Sequence, residues 1–359
     1  MSYTNGLDDP SAYFYAYAFS KSSGTGSVTF DANSDLQPDF LWVKSRSNAD
    51  SHELWDSTRG VNSTLFSDST SAQDTAANRI VSFDTDGFTW GNAGNLNAAG
   101  DFVSWGWKAN GGTTVSNTDG DLRSVTVQAN QDAGFSIVRF LGGTTPYTAG
   151  HGLGVAPDVI ISKRLGATVG WYVYHKDVGA GKYLQLNSTA AAVTSATVAF
   201  TSAPTSTIFT GGTGIGGATD YYINYCFAEK QGYSKFGSYV GNGSGTSDGT
   251  FNGRFVYTGF KPAWVLIKRS DYSAGDAWTL FDNKRPRSGS TGNYINNKLG
   301  ADSTAAESGN VYDAVDFLSN GFKLRTGRAG TNASGSTYIY MAFAESPFVT
   351  STGIPTTAR

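Results

Sequence analysis

Three stretches of the chain share one grammar. Residues 38–44 read PDFLWVK, residues 157–163 read PDVIISK and residues 262–268 read PAWVLIK, each opening on Pro and closing on Lys six residues later. Pro costs a strand least at its first position, because the missing N–H falls where the ladder begins. The nearly continuous apolar run behind it is the pattern of a strand inside a sandwich core. The segments downstream of each stretch match as well. HELWD (52–56), WYVYH (171–175) and WTLFD (278–282) place Trp55, Tyr174 and Phe281 at equivalent positions. VNSTLFSDSTSA (61–72), KYLQLNSTAAAVT (182–194) and NNKLGADSTAAE (296–307) come next. FDTDGFTW (83–90) and FLSNGFKL (317–324) then read as hairpins turning at Gly87 and Gly321; STIFTGG (206–212) in the middle copy has lost that turn. FVSWGWKA (102–109), YYINYCFAE (221–229) and YIYMAFAE (338–345) close the copies, aligning Trp107, Phe227 and Phe343 as core aromatics.

The three prolines stand a domain's length apart, too far for a solenoid repeat. Gly is abundant, at 45 of 359 residues, aromatics reach 14%, and helical periodicity is scarcely visible. Short β-branched and aromatic runs between Gly, Asn, Asp and Ser turns predict an all-β chain. The expected architecture is three tandem antiparallel β-sandwich modules of jelly-roll type. The expected boundaries are an N-terminal tail over 1–11, modules over 12–110, 123–232 and 233–348, a linker over 111–122 and a C-terminal tail over 349–359. Connectors this short predict a stiff rod of touching modules.

Charged residues make up only 15% and the net charge is −3, which gives no electrostatic case for nucleic acid or an anionic membrane. The single Cys226 excludes an internal disulfide and reads as a small buried residue. A reducing cytosol is the expected place of assembly. The opening MSYTNGLDDPS is polar and acidic, unlike a secretory leader, and no apolar run is long enough for a membrane helix, so a soluble chain is expected.

No catalytic constellation, metal set or cofactor motif emerges. His52 fills the slot of Trp171 and Trp278, His175 stands where the other copies have Asp56 and Asp282, and His151 lies alone in AGHGLG. None has the spacing of a metal pair. Asp84-Thr85-Asp86-Gly87 resembles half a calcium loop, but the matched Leu318-Ser319-Asn320-Gly321 lacks both carboxylates, which favours a plain hairpin turn. GGTGIGG (211–217) lacks the Lys-Ser/Thr of a phosphate loop. Lys44, Lys163 and Lys268, followed by Arg46, Arg164 and Arg269, offer one candidate ligand-gripping cation per copy. The structural alternative is a strand-end Lys whose stem lies over the sandwich edge. Trp90, Tyr147 and Tyr272 in loops are candidate rings for stacking on sugars.

Several longer phrases carry a resemblance. GLDDPSAYF (6–14), LQPDFLWVKSR (36–46), HELWDSTRGV (52–61), FDTDGFTWG (83–91) and WGWKANGGTTVSNTDG (105–120) are of this kind. So are FGSYVGNGS (236–244), VYTGFKPAWVLIKR (256–269), DFLSNGFKLR (316–325) and YIYMAFAESPF (338–348). Over nearly its whole length the chain resembles repeated β-domain virion structural proteins of marine tailed bacteriophages. The resemblance implies a structural protein at the virion surface, assembled in the host cytoplasm and contacting other virion proteins of tail or capsid. Within that frame the favoured reading is a host-attachment fibre, whose aromatic, Gly/Ser/Thr-rich loops and repeated modules suit binding a cell-surface glycan. The alternative is a capsid decoration protein seated on the lattice, which the modest length allows. Proteins of this kind often form homo-oligomers, trimers included. The resemblance brings no catalytic residue and no cofactor.

Overall fold

The computed structural model describes residues 4, 6–122, 124–143, 145–245, 252–272, 276–285, 294–309 and 314–356. The chain is all-β, and among the described residues its strands form six antiparallel sheets, a large and a small one in each third of the sequence.

The three large sheets share one strand order. In the first, Phe14–Lys21 pairs with the closing strand Gly100–Trp107, which pairs with the Pro-to-Lys strand Phe40–Ser45, followed by Glu53–Asp56 and Leu65–Phe66. The second repeats this as Phe135–Leu141, Tyr221–Phe227, Val159–Arg164, Tyr172–His175 and Lys182–Gln185. The third repeats it as Ser234–Val240, Thr337–Pro347, Phe260–Arg269, Thr279–Asp282 and Asn297–Gly300. Registers agree as well: Trp55 faces Leu41, Tyr174 faces Ile160 and Phe281 faces Val265, each three residues past its Pro. Part of the expected linker, Val115–Asn117, is an edge strand of the second sheet.

The small sheets cover one face of each large sheet. Gly26–Val28, Gly87–Trp90 and Ile80–Asp84 form the first; Tyr147–Gly150 and Ile208–Gly211 the second; Phe255–Tyr257, Gly321–Leu324, Val315–Leu318 and Tyr294–Ile295 the third. Gly87 and Gly321 sit at the same close approach. A Cβ at Gly87 would lie 1.9 Å from the Val28 carbonyl oxygen, and one at Gly321 would lie 2.1 Å from that of Val256. Trp55, Tyr174 and Phe281 are buried between the sheets of their own pairs.

The opposite faces of the large sheets decide the overall arrangement. Along Phe40–Ser45 the side chains alternate, as a strand requires. Leu41 and Val43 enter the core of the first pair, whereas Phe40 and Trp42 enter a second, central core. Val159 and Ile161, and Trp264 and Leu266, do the same in the other sheets, and residues of all three large sheets meet in that one cluster. At its middle, Trp107, Phe227 and Phe343 form a triangle of edge contacts. Ring centroids are 6.3 Å apart for Trp107–Phe227, 5.8 Å for Phe227–Phe343 and 5.6 Å for Trp107–Phe343.

The expected rod is therefore not what forms. Each large sheet has two apolar faces and its small sheet covers only one. The second face must leave water, at about 25 cal/mol per Å² of apolar surface, and the other two large sheets are the apolar surfaces that cover it. The sheet pairs close around a common axis into a three-sided body. They are not independent domains, because each completes the others' core.

Candidate functional site

The polar groups singled out in the sequence lie mostly at the three seams where one sheet pair meets the next, and the seams repeat in cyclic order. A backbone bond marks each: Gln73 N–H donates to the Leu165 carbonyl, Ala192 N–H to Ser270 and Glu307 N–H to Arg46, at 2.8, 3.0 and 2.9 Å. A ring N–H crosses each seam too. Trp171 Nε1 donates to the Phe66 carbonyl at 2.8 Å, Trp278 Nε1 to Gln185 at 2.9 Å, and His52 Nε2 lies 3.0 Å from the Gly300 oxygen. The imidazole thus fills the indole slot and keeps its seam bond. Behind each ring, the backbone N–H of His52, Trp171 and Trp278 donates to Asp68, Asn187 and Asp302.

Asp56, His175 and Asp282 face the closing strand of the next pair. Tyr225 Oη donates to Asp56 Oδ2 at 2.7 Å and Trp105 Nε1 donates to Asp282 Oδ2 at 3.0 Å. Each carboxylate also holds a buried arginine three residues on, Arg59 Nε at 2.5 Å and Arg285 Nε at 2.7 Å. The facing position of the third closing strand is Met341, which has no proton to donate. There the Asp is His175, whose Nε2 lies 3.3 Å from the Tyr340 carbonyl oxygen, and the arginine position is Val178, packed on the central core.

All three histidines are buried and use their nitrogens alike. Nδ1 accepts, from Trp42 Nε1 in His52, Leu153 N in His151 and Asp177 N in His175, and Nε2–H donates to a carbonyl. Burial lowers all three pKa values, that of His175 to about 4. Rings held neutral by bonds at both nitrogens have no free lone pair for a metal. No cluster of three or more His, Cys, Asp or Glu side chains able to hold a metal occurs among the described residues.

Lys44, Lys163 and Lys268 are buried rather than held over a sandwich edge. Six residues after each Pro, they share the central face with Trp42, Ile161 and Leu266. Lys163 Nζ donates to Thr70 of the first pair at 2.9 Å, and Lys268 Nζ to Thr189 of the second at 2.7 Å. Lys44 Nζ turns back to the Ser45 and Asn48 carbonyls, at 2.6 and 3.1 Å. Burial lowers each ammonium to about 8. Each ammonium is buried and bonded to two carbonyl oxygens inside the body, which commits it to the structure and not to an outside ligand.

Asp84 and Asp86 serve the hairpin. Asp84 accepts from Ser82 and Thr89 hydroxyls, and Asp86 from the Leu36 N–H. Trp90 and Tyr147 are buried, so of the three loop rings only Tyr272 is exposed, with the Arg269 guanidinium 4.2 Å from its centroid. Glu53, pushed up to about 7 by burial, is sealed behind Arg79.

The open site lies elsewhere. A cleft of about 660 Å³ opens where the connector after Tyr221–Phe227, the edge strand Phe255–Tyr257 and the C-terminal segment meet. Tyr257, 60% exposed, and Phe348 line it together with Glu229, Gln231 and Lys235. Glu229 pairs with Lys235 and, at 3.0 Å, with Lys176, which also pairs with Asp158 at 3.1 Å. Tyr257 carries no local mark in the sequence, because its strand is only three residues long and a ring there has the letter of a core residue. The signal was its comparison with the first copy, where Thr29 stands.

No curated protein and no solved structure matches the chain. One family model does, described as Domain of unknown function (DUF7483), over residues 9–347, which takes in all three sheet pairs. The chain belongs to the DUF7483 family.

Proposed function

We propose that the chain is an exposed, non-enzymatic structural protein of a tailed-phage virion with an adhesive role in host attachment. The phrases distributed from residue 6 to residue 348 carry the virion reading. The cleft carries the adhesive one: it sets an exposed aromatic ring beside paired charges, the composition of a recognition site. The buried histidines, lysines and aspartates support a non-enzymatic role, since each is committed to holding one sheet pair against the next.

A second reading, capsid decoration, is favoured by the three-sided body. One chain supplies three like faces about an axis, a form suited to seating on a lattice of protein subunits. The three-fold assembly that separate copies would make is present within the single chain, so a monomer in solution is the form expected by light scattering. Immunogold labelling of intact particles with antibody to this chain separates the readings. Gold along the tail or its tip supports attachment. Gold over the head overturns it in favour of decoration, and particles without label overturn both.

A further inference from the structure

We infer that the cleft beside Tyr257 binds a neutral glycan, with the Tyr257 ring as its stacking platform. The inference rests on the adhesive reading and gives it a site and a ligand class. In the third pair Val256 faces Phe322 and is buried, so Phe255 and Tyr257 on either side of it point outward, 40% and 60% exposed. In the first pair Val28 faces Phe88 in the same register, which puts Ser27 and Thr29, both exposed, at the equivalent places. The fold is thus built equally well with small hydroxyl side chains there. Two rings facing water add little to stability, and their presence asks for another cause.

The surroundings of Tyr257 indicate the ligand. The negative face of an aromatic ring attracts the weakly positive C–H face of a sugar. Phe348 supplies a second apolar wall from the C-terminal segment. Sugar hydroxyls need donors and acceptors close together. Gln231 and Lys235 offer donors, and Gln231 and Glu229 offer acceptors, on the same rim. The rim is also balanced in charge, since Glu229 and Asp158 are matched by Lys176 and Lys235. A polyanionic saccharide would meet Glu229 without a surplus of cation to offset it, which is why the ligand is neutral.

The test titrates the full chain calorimetrically with neutral hexasaccharides of glucose, galactose, mannose and N-acetylglucosamine, and with polygalacturonate as the acidic control. The expected result is binding of at least one neutral hexasaccharide, weakened about tenfold or more by Tyr257→Thr. That variant copies the first pair, so its melting temperature should stay near that of the parent. Tyr257→Phe should keep the affinity within about threefold, because it keeps the ring. Absence of neutral binding, preference for polygalacturonate, or binding indifferent to Tyr257→Thr would each overturn the inference. So would a Tyr257→Thr chain that no longer joins the particle while binding no sugar, which would make the cleft a protein contact. The two readings fail separately. Gold on the tail without sugar binding removes this site alone, and gold over the head with Tyr257-dependent binding removes the attachment role alone.

Discussion

At two of the three seams the position facing the next closing strand is an ion pair, and at the third it is not. Where the first pair meets the second, and where the third meets the first, a buried aspartate holds an arginine and accepts a proton from the facing strand, from Tyr225 or Trp105. Where the second meets the third, His175 and Val178 stand in their place opposite Met341. Desolvating an ion pair is costly, and an apolar replacement of similar volume is often neutral or better. The three-sided body therefore does not require the charges. It requires that whatever faces a seam be matched: a donor opposite an acceptor, or no side-chain donor at all and a ring that reaches a backbone carbonyl.

Half of a match should be worse than none. Asp282→Ala leaves buried Arg285 with Glu307 as its one carboxylate, at 2.8 Å, beside a Trp105 N–H that has lost its acceptor, and should cost about 3 kcal/mol in denaturant unfolding. Copying the second seam whole, as Asp282→His with Arg285→Val and Trp105→Met, should recover most of that loss. If the triple variant is no better than the single one, matching across the seam is not what matters. The same experiments test the shared core: one cooperative unfolding transition is expected, and three separable ones would show the pairs to be independent.

The seam that carries His175 in place of an aspartate should feel acid. His175 has its folded pKa near 4, below the ordinary value of about 6.5. Between those limits the unfolded chain binds the extra proton and the folded chain does not, so stability rises with pH. The contribution is whole above about pH 6.5 and falls away as the pH drops towards 4, by up to about 3 kcal/mol at roughly 1.4 kcal/mol per pH unit. His52 and His151 shift the same way and steepen the loss. Melting curves from pH 7 to 4.5 should show a shallower decline in His175→Asn than in the parent; equal declines would remove His175 from the account.

The lysines allow a finer comparison. Lys163→Met keeps the stem but leaves the Thr70 and Val169 carbonyls, both bonded by Lys163, without that partner. A cost of about 1–3 kcal/mol is expected. Lys44→Met touches only carbonyls of its own pair. The cost of Lys163→Met should change in an Asp56→Ala background, because both groups cross the first seam, whereas that of Lys44→Met should change little there. Smallest of all, Tyr257→Thr should shift stability by no more than about 0.5 kcal/mol, since the ring lies in water.

Much of the fold was legible because the chain states it three times. Pro38, Pro157 and Pro262 mark strands of one register, and Trp55, Tyr174 and Phe281 follow at the same depth. The turn at Gly87 and Gly321, and its loss in the middle copy, could be read directly. The candidate site was much less legible. Lys44, Lys163 and Lys268 look like free cations in the sequence, yet all three are buried, and two of them bond across a seam. Trp90 and Tyr147 were read as loop rings and are core. Tyr257 was passed over and is exposed. A ring or an ammonium has the same letter whether it faces water or not; large-sheet strands covered on both faces give no alternation, and small-sheet strands of three or four residues give too little.

The sequence by itself determined the all-β class, the repeated strands and the positions that must be equivalent, since these follow from local chemistry and from repetition. Only the tertiary structure decided that the repeats close into a ring. The reason is physical: each large sheet carries a second apolar face that its own small sheet cannot cover, and which surface covers it depends on contacts between residues a third of the chain apart. Trp107, Phe227 and Phe343 look alike as closing-strand aromatics, but nothing local says that they touch one another.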